Sequence, residues 1–242
     1  MDNILQWKKE NLDKISCTFC SAKWKQVTLH LHNGHTHSCH HPTSHKIPLT
    51  ELKDNPSALH NTQFKKQQRK LMLEGKRPTE CDYCWRVEDS NSNSLSDRTY
   101  KSFESWSQPY IKDIVSKTWD DNVNPSYIEV SFSSVCNFKC SYCSPQVSSK
   151  WMEEIQQHGP YPTSTSFNNL DYLRNTDSIP IPNREHNPYV EAFWKWWPDV
   201  SKDLHHFRIT GGEPLLAKDT FKVLDDLIAN PKPNLEVSIN SN

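Results

Sequence analysis

"YIEVSFSSVCNFKCSYCSP", residues 127–145, decides the fold. Apolar residues stand at every second position of its first part, and this alternation predicts a β-strand with one apolar and one polar side. The second part holds three cysteines in a C-x3-C-x2-C run, namely Cys136, Cys140 and Cys143. Three thiols within eight residues, with no fourth nearby, can bind a metal group but leave its coordination incomplete.

Further elements after this stretch predict a βα pattern. The segment SSKWMEEIQQHG (148–159) predicts a helix that ends at Gly159, and HFRIT (206–210) predicts a strand leading into GGEP (211–214). KDTFKVLDDLIAN (218–230) predicts a second helix and LEVSIN (235–240) a third strand. Strands separated by helices predict parallel pairing. The polar strand faces favour a cavity for a polar ligand, with an exposed face of a small open sheet as the alternative.

Composition excludes several classes of protein. The formal net charge of the 242 residues is −1 and no long Lys/Arg run occurs, so no nucleic-acid partner is expected. No apolar stretch approaches the roughly 20 residues of a membrane helix, and the N-terminus lacks a secretory-signal layout. We therefore predict a cytoplasmic protein without a membrane partner. In that reducing compartment, eight cysteines favour metal binding over disulfides.

The triple-cysteine run and GGEP, each after a predicted strand, resemble the signature motifs of the radical S-adenosylmethionine (radical SAM) superfamily. The resemblance implies a [4Fe–4S] cluster on Cys136, Cys140 and Cys143, with S-adenosylmethionine on the fourth iron. Reduction by an external electron donor would then release a 5′-deoxyadenosyl radical, which takes hydrogen from a substrate. The implied cofactor-binding residues are Tyr142, Gly211, Gly212, Glu213, Pro214 and Asn240. Catalytic residues beyond these are not assignable.

The N-terminal half resembles the twitch and SPASM auxiliary-cluster domains of the same superfamily. The likeness rests on a cysteine before Trp24, a turn at Gly34, a basic helix over 65–73 and a closing C-x2-C. It implies a second [4Fe–4S] cluster on Cys20, Cys39, Cys81 and Cys84, with Cys17 as an alternative to Cys20. Zinc is the alternative metal. These auxiliary domains usually follow the barrel, whereas here the cysteines precede it.

Two polar segments of this half have plainer interpretations. Seven histidines between 30 and 45 could bind metal or substrate, but we expect a polar hairpin with solvated or hydrogen-bonded imidazoles. The run KKQQRK (65–70) predicts a solvated helix face.

The predicted fold class is therefore α/β: a partial radical SAM (β/α) barrel preceded by a small Cys/His-rich, twitch-like metal domain. We place the auxiliary domain at 1–100, a linker at 101–125 and the core at 126–242, and we expect a fragment because only three core strands are counted. The expected substrate is a peptide or protein side chain. The alternatives are a small-molecule or nucleoside-precursor substrate, or a non-catalytic zinc-binding interaction module.

Overall fold

The computed structural model describes residues 2–91 and 94–242, and within them six strands form one mixed sheet in an α/β fold. The strands are β1 (Gln26–His30), β2 (His35–His37), β3 (His45–Lys46), β4 (Tyr127–Ser131), β5 (His206–Thr210) and β6 (Glu236–Ile239). Their spatial order is β3-β2-β1-β4-β5-β6. The strands β1, β4, β5 and β6 are parallel, and β2 and β3 add antiparallel pairs at one edge. The three predicted core strands thus form and pair in parallel.

Helices connect and cover these strands. In the described chain the α-helices are α1 (Asp2–Asn11), α2 (Ala22–Lys25), α3 (Leu49–Leu52), α4 (Gln63–Leu73), α5 (Asp82–Ser90), α6 (Asp97–Phe103), α7 (Ile111–Ser116), α8 (Ser149–His158), α9 (Leu170–Asn175), α10 (Pro188–Val200) and α11 (Lys218–Ala229). Short 3-10 helices occupy Pro56–Leu59, Thr79–Cys81, Gln108–Tyr110 and Pro214–Leu216. The predicted helix before Gly159 is confirmed as α8.

Two apolar cores hold this architecture. The larger lies where the apolar side of the sheet meets α10, and there Phe207 contacts Phe193 and Trp197 at ring separations of 6.3 and 5.1 Å. The smaller surrounds the N-terminal cysteines and contains the buried Phe19, Trp24, Trp85 and Trp106. Burial of such large aromatic side chains supplies much of the folding free energy of a chain with only 34% apolar residues.

The sheet joins the parts of the chain that lie before and after the predicted linker at 101–125. Strand β1, from the N-terminal part, pairs in parallel with β4 along its whole length, from Gln26 opposite Tyr127 to His30 opposite Ser131. The linker itself contains the end of α6 and all of α7. The N-terminal hairpin therefore extends the core sheet, and its polar side continues that of β4 and β5. The division into three segments remains a prediction.

The polar run in α4 differs from expectation: its predicted solvated face is wrong for three of its residues. Lys65, Lys66 and Arg69 are only 1%, 7% and 0% exposed. Positions 65, 69 and 72 recur at helical spacing, so Lys65 and Arg69 lie on the same buried face as Met72. This face is directed at the body of the protein although two of its three side chains are basic.

The histidine hairpin is hydrogen-bonded, as expected, but much of it is buried rather than solvated. His32, His35 and His37 are all less than 10% exposed. The Nε2 atoms of His30 and His37 lie 3.0 Å apart, and Nδ1 of His32 lies 2.8 Å from the Ser131 hydroxyl of β4. Burial lowers the pKa of His30 and of His32 to about 3, so both rings are neutral at neutral pH.

Candidate functional site

The loop between β4 and α8 carries the three cysteines of the C-x3-C-x2-C run. Cys136 is buried, whereas Cys140 and Cys143 are partly exposed. The first turn of α8 fixes this loop: the Ser149 hydroxyl accepts a hydrogen bond from the Cys136 N–H and donates one to its carbonyl, each 3.1 Å long. The Trp151 indole donates to the Cys140 carbonyl at 2.9 Å. The backbone of the loop is thus held while two thiols remain open to a ligand.

The GGEP segment at the end of β5 lies directly against the start of this cysteine loop. The Gly212 N–H donates to the Ser133 carbonyl at 3.2 Å, and the Glu213 N–H donates to the Val135 carbonyl at 2.8 Å. A Cβ on Gly212 would lie 2.3 Å from the Val135 oxygen, and Gly211 has φ of +116°. Only glycine permits this approach. The two motifs, 75 positions apart (211 minus 136), are therefore brought together by the parallel pairing of β4 and β5.

The carboxylate of Glu213 is buried and hydrogen-bonded both to the turn that follows it and to residues that follow β6. It accepts hydrogen bonds from the Leu215 N–H, the Ser241 hydroxyl and the Asn242 N–H at 3.0, 2.9 and 3.0 Å. Burial raises the pKa of Glu213, but these hydrogen bonds lower it by more, so the net pKa lies below its ordinary value. The group is ionised and placed where three strand ends converge.

The other predicted cofactor contacts differ in how they are placed. Pro214 is buried and begins the 3-10 helix after the glycines. The Asn240 N–H donates to the Ile209 carbonyl at 3.0 Å, which fixes its backbone beside β5, while its side chain is exposed. Tyr142 is 86% exposed, so its ring is free to contact a ligand above the cysteine loop.

Four N-terminal cysteines converge on one small cavity. Cys20 precedes α2, Cys39 follows β2, Cys81 ends a 3-10 helix and Cys84 lies in the first turn of α5, yet all four line the same space. Cys17 does not line it: its exposed thiol lies 4.0 Å from the Gly75 carbonyl. The structure thus groups the four residues that the resemblance implies and leaves Cys17 apart.

The surroundings of this cavity are buried and rich in charge. Burial raises the pKa of the Cys81 thiol to about 12 and that of Cys84 to about 11, so both are protonated when nothing is bound. Lys23 lines the cavity and forms an ion pair with Glu80. Arg98, also lining it, pairs with Glu88 at 2.9 Å. A bound metal displaces the thiol protons, which makes binding pH-dependent.

The spacing of the thiols bears on which metal group fits. Zinc held by four thiolates at about 2.3 Å would bring the sulfurs to about 3.8 Å from one another. In residues 2–91 and 94–242, the one set of three candidate ligands with atoms all within 4.8 Å is His40, His41 and Asp97, which contains no thiol. At neither cysteine group do three sulfur atoms of the described residues all lie within 4.8 Å of one another, so neither group is closed to zinc spacing. The His40, His41 and Asp97 set lies at the rim of the N-terminal cavity, where His41 and Asp97 are hydrogen-bonded at 2.8 Å.

Comparison with known proteins gives matches to one kind of enzyme. The GTP 3′,8-cyclase of Nautilia profundicola is 27% identical over 116 residues, which are 48% of this chain and 27% of that protein. The GTP 3′,8-cyclase of Mannheimia succiniciproducens is 30% identical over 103 residues, which are 43% of this chain and 22% of that protein. These relatives are radical SAM enzymes. The matches support the radical SAM superfamily.

These radical SAM relatives use a [4Fe–4S] cluster and S-adenosylmethionine. The chain spans about a quarter of the length of the curated relatives it matches. No family model matches the chain, and no solved structure matches it. No helix of the described residues has the length and apolar character needed to cross a membrane.

Sequence reasoning missed the groups that support both cysteine sets. Ser149 and Trp151 of α8 hold the backbone of the triple-cysteine loop, and Lys65 and Arg69 of α4 are buried behind the N-terminal cavity. A usable signal for the second pair existed in the spacing of 65, 69 and Met72 along one helix face. For the first pair the hydrogen bonds depend on how α8 packs, which no local pattern reveals.

Proposed function

We propose that this chain acts in a radical SAM enzyme, with its catalytic [4Fe–4S] cluster on Cys136, Cys140 and Cys143. The observation that carries the proposal is the direct contact of the GGEP segment with the start of the cysteine loop. When bound, the cluster supplies the electron that converts S-adenosylmethionine to methionine and a 5′-deoxyadenosyl radical, which takes hydrogen from the substrate. The difficult chemistry belongs to the cofactors, and the protein positions them.

The chain's own residues have distinct parts in this proposal. Ser149 and Trp151 hold the backbone of the loop that carries the three thiols. The close approach of Gly212 places the GGEP backbone against the start of that loop, and the ionised Glu213 offers a partner for the ammonium group of S-adenosylmethionine. Tyr142 supplies an exposed aromatic ring for the adenine, and Asn240 a polar side chain at the end of β6.

The N-terminal cavity holds the second metal group of this proposal. Cys20, Cys39, Cys81 and Cys84 would bind an auxiliary [4Fe–4S] cluster of the twitch or SPASM kind, since their thiols are more widely spaced than zinc requires. Zinc remains the alternative group. The strands β1 and β4 join the two parts of the chain in one sheet.

Two classes of substrate are candidates for this chain. A peptide or protein side chain was expected from the auxiliary-domain resemblance alone, and that preference gains nothing from the comparisons. The matched relatives are named for a reaction of GTP, which favours the nucleoside-type alternative for this chain. The external electron donor and the cytoplasmic location stay predictions.

Anaerobic reconstitution with iron and sulfide tests the proposal. We expect the parent chain to bind about eight irons, as two [4Fe–4S] clusters, and the chain with Cys136, Cys140 and Cys143 replaced by Ala to bind about four. The parent should also bind S-adenosylmethionine, and the triple variant should not. A parent that binds only zinc, at both cysteine groups, would instead support the non-catalytic zinc-binding module.

A further inference from the structure

Two buried cations in α4 lack an acidic partner. Lys65 is 1% exposed and Arg69 is 0% exposed. Among the described residues, no carboxylate oxygen lies within 4.0 Å of either cationic group, although other lysines and arginines of this region do form ion pairs. An unpaired charge removed from water is costly, and buried charges are normally paired or bound to a metal centre or ligand. Burial lowers the pKa of Lys65 well below its ordinary value and that of Arg69 to about 9, so a negatively charged group nearby would favour the charged form of both.

The contacts that these two side chains do make are neutral. The Lys65 ammonium lies 3.3 Å from the Thr36 hydroxyl and 3.3 Å from Nδ1 of His60. The Arg69 guanidinium donates to the Asn61 side-chain oxygen at 2.9 Å and lies 3.0 Å from Nε2 of His60. Burial lowers the pKa of His60 well below its ordinary value, so this ring adds no charge of its own. Both side chains therefore have hydrogen-bonding partners, but neither has a negatively charged partner.

The neighbouring cations are already matched. Lys23 pairs with Glu80, and Arg98 pairs with Glu88. These four groups therefore cancel in pairs. Lys101 also lines the cavity, and no carboxylate among the described residues pairs with it, but its side chain is partly exposed to water. The buried uncompensated charge therefore comes from Lys65 and Arg69, and it amounts to two positive charges when both are protonated.

A negatively charged group that balances these cations could bind in the cavity of Cys20, Cys39, Cys81 and Cys84. The Cys39 thiol and Glu80 are the acidic groups that act electrostatically on Lys65. Nε of Arg69 donates to the Lys23 carbonyl at 3.3 Å, and Lys23 lines the cavity. Lys65 thus interacts electrostatically with one cavity thiol, and Arg69 contacts a residue that lines the cavity.

We propose that Lys65 and Arg69 are the counter-ions of a dianionic, thiolate-bound metal group in this cavity, and that they raise its reduction potential. This inference rests on the auxiliary metal group of the proposed function. Four thiolates carry four negative charges, and an oxidised [4Fe–4S] core carries two positive charges, so the bound group carries two negative charges. Two unpaired cations match that charge. Each further electron adds negative charge, so the buried cations favour the reduced form.

A matched pair of substitutions in one helix tests the proposal. Lys65→Met removes an unpaired buried cation, whereas Lys66→Met removes a buried cation that is paired with Asp120 at 3.5 Å. Both are made in the chain with Cys136, Cys140 and Cys143 replaced by Ala, so that only the N-terminal site binds iron. Iron content and a redox titration followed by electron paramagnetic resonance are measured after anaerobic reconstitution.

The expected result is a lower midpoint potential for Lys65→Met alone. At the parent's midpoint, the ratio of reduced to oxidised cluster should fall by about tenfold, a shift of about 59 mV for one electron. The metal-free Lys65→Met chain should be at least as resistant to urea as the metal-free parent, because a buried amino group without an acidic partner has been replaced by an apolar side chain. Lys65→Arg, which keeps the charge, should restore the potential towards the parent value.

The possible results distinguish a failure of this inference from a failure of the proposed function on which it rests. If the parent binds the cluster and Lys65→Met matches Lys66→Met in potential and iron retention, the counter-ion proposal is wrong and the auxiliary cluster stands. If the parent binds zinc, the charge argument predicts that Lys65→Met loses zinc to a chelator about tenfold more readily than Lys66→Met, and equal loss overturns it. If the parent binds neither metal, both the auxiliary site and the inference are overturned.

Discussion

Replacing Gly212 by Ala tests the contact between the two motifs. An ideal Cβ at this position would lie 2.3 Å from the Val135 carbonyl oxygen and 2.8 Å from the carbonyl carbon and oxygen of Ser134. These neighbours are backbone atoms of the cysteine loop, so they cannot rotate away as a side chain would. Carbon and oxygen approach each other to about 3.4 Å in ordinary contact, and the loop must therefore retreat by about 1 Å.

The cost of this retreat has two parts. Overpacking of a fixed contact typically costs about 1–3 kcal/mol. The displacement also strains the hydrogen bond from the Glu213 N–H to the Val135 carbonyl, which is 2.8 Å long, and its loss adds about 1 kcal/mol. We therefore expect the free energy of unfolding in urea to fall by about 2–4 kcal/mol.

The functional consequence distinguishes the contact from a general loss of stability. Gly159→Ala is the control, because its φ of +78° strains any side chain while no atom lies within 4 Å of the added Cβ. That strain costs about 1–3 kcal/mol, a similar amount. After anaerobic reconstitution, Gly212→Ala should retain about four of the parent's eight irons and Gly159→Ala all eight. Full iron retention by Gly212→Ala, or equal loss by Gly159→Ala, would refute the reasoning.

Three further predictions address the remaining groups. Cys17→Ala should keep the N-terminal metal group and Cys20→Ala should lose it, because Cys17 lies outside the cavity; iron analysis with the opposite result would reverse that assignment. Glu213→Gln should weaken S-adenosylmethionine binding by about tenfold to a hundredfold, measured by calorimetry on the reconstituted protein, since a charge-assisted hydrogen bond contributes about 1.5–3 kcal/mol; unchanged affinity contradicts this role. For pH, the folded pKa of His32 is about 3, from burial and then the nearby His30, against an ordinary value of 6.5. Below pH 6.5 the unfolded chain binds a proton at His32 that the folded chain does not bind. The contribution of this group to stability is therefore fully present above pH 6.5 and is lost as the pH falls towards 3. His32→Gln should flatten the dependence of urea stability on pH over this range, and an unchanged dependence contradicts the reasoning.

The sequence alone determined the type of strand that precedes the triple-cysteine loop, and it predicted that loop as a metal-binding one. The three cysteines are neighbours in the chain, so their spacing is visible without a fold, and the alternation over 127–132 specifies a strand by local periodicity. The same holds for α8, whose stop at Gly159 is a local signal. The alternation of strands and helices predicted that β4, β5 and β6 pair in parallel, but it did not predict that β1 joins them.

Tertiary structure decided everything that depends on distant residues. Five N-terminal cysteines were candidates, and the packing of α2, β2 and α5 placed four of them around one cavity and left Cys17 outside. Local pattern gave α4 a solvated basic face, but Lys65 and Arg69 are buried because the hydrogen-bonding partners that accept them, His60, Asn61 and Thr36, come from other segments. A sequence shows which side chains carry charge, whereas their burial and pairing depend on which surfaces meet in the fold.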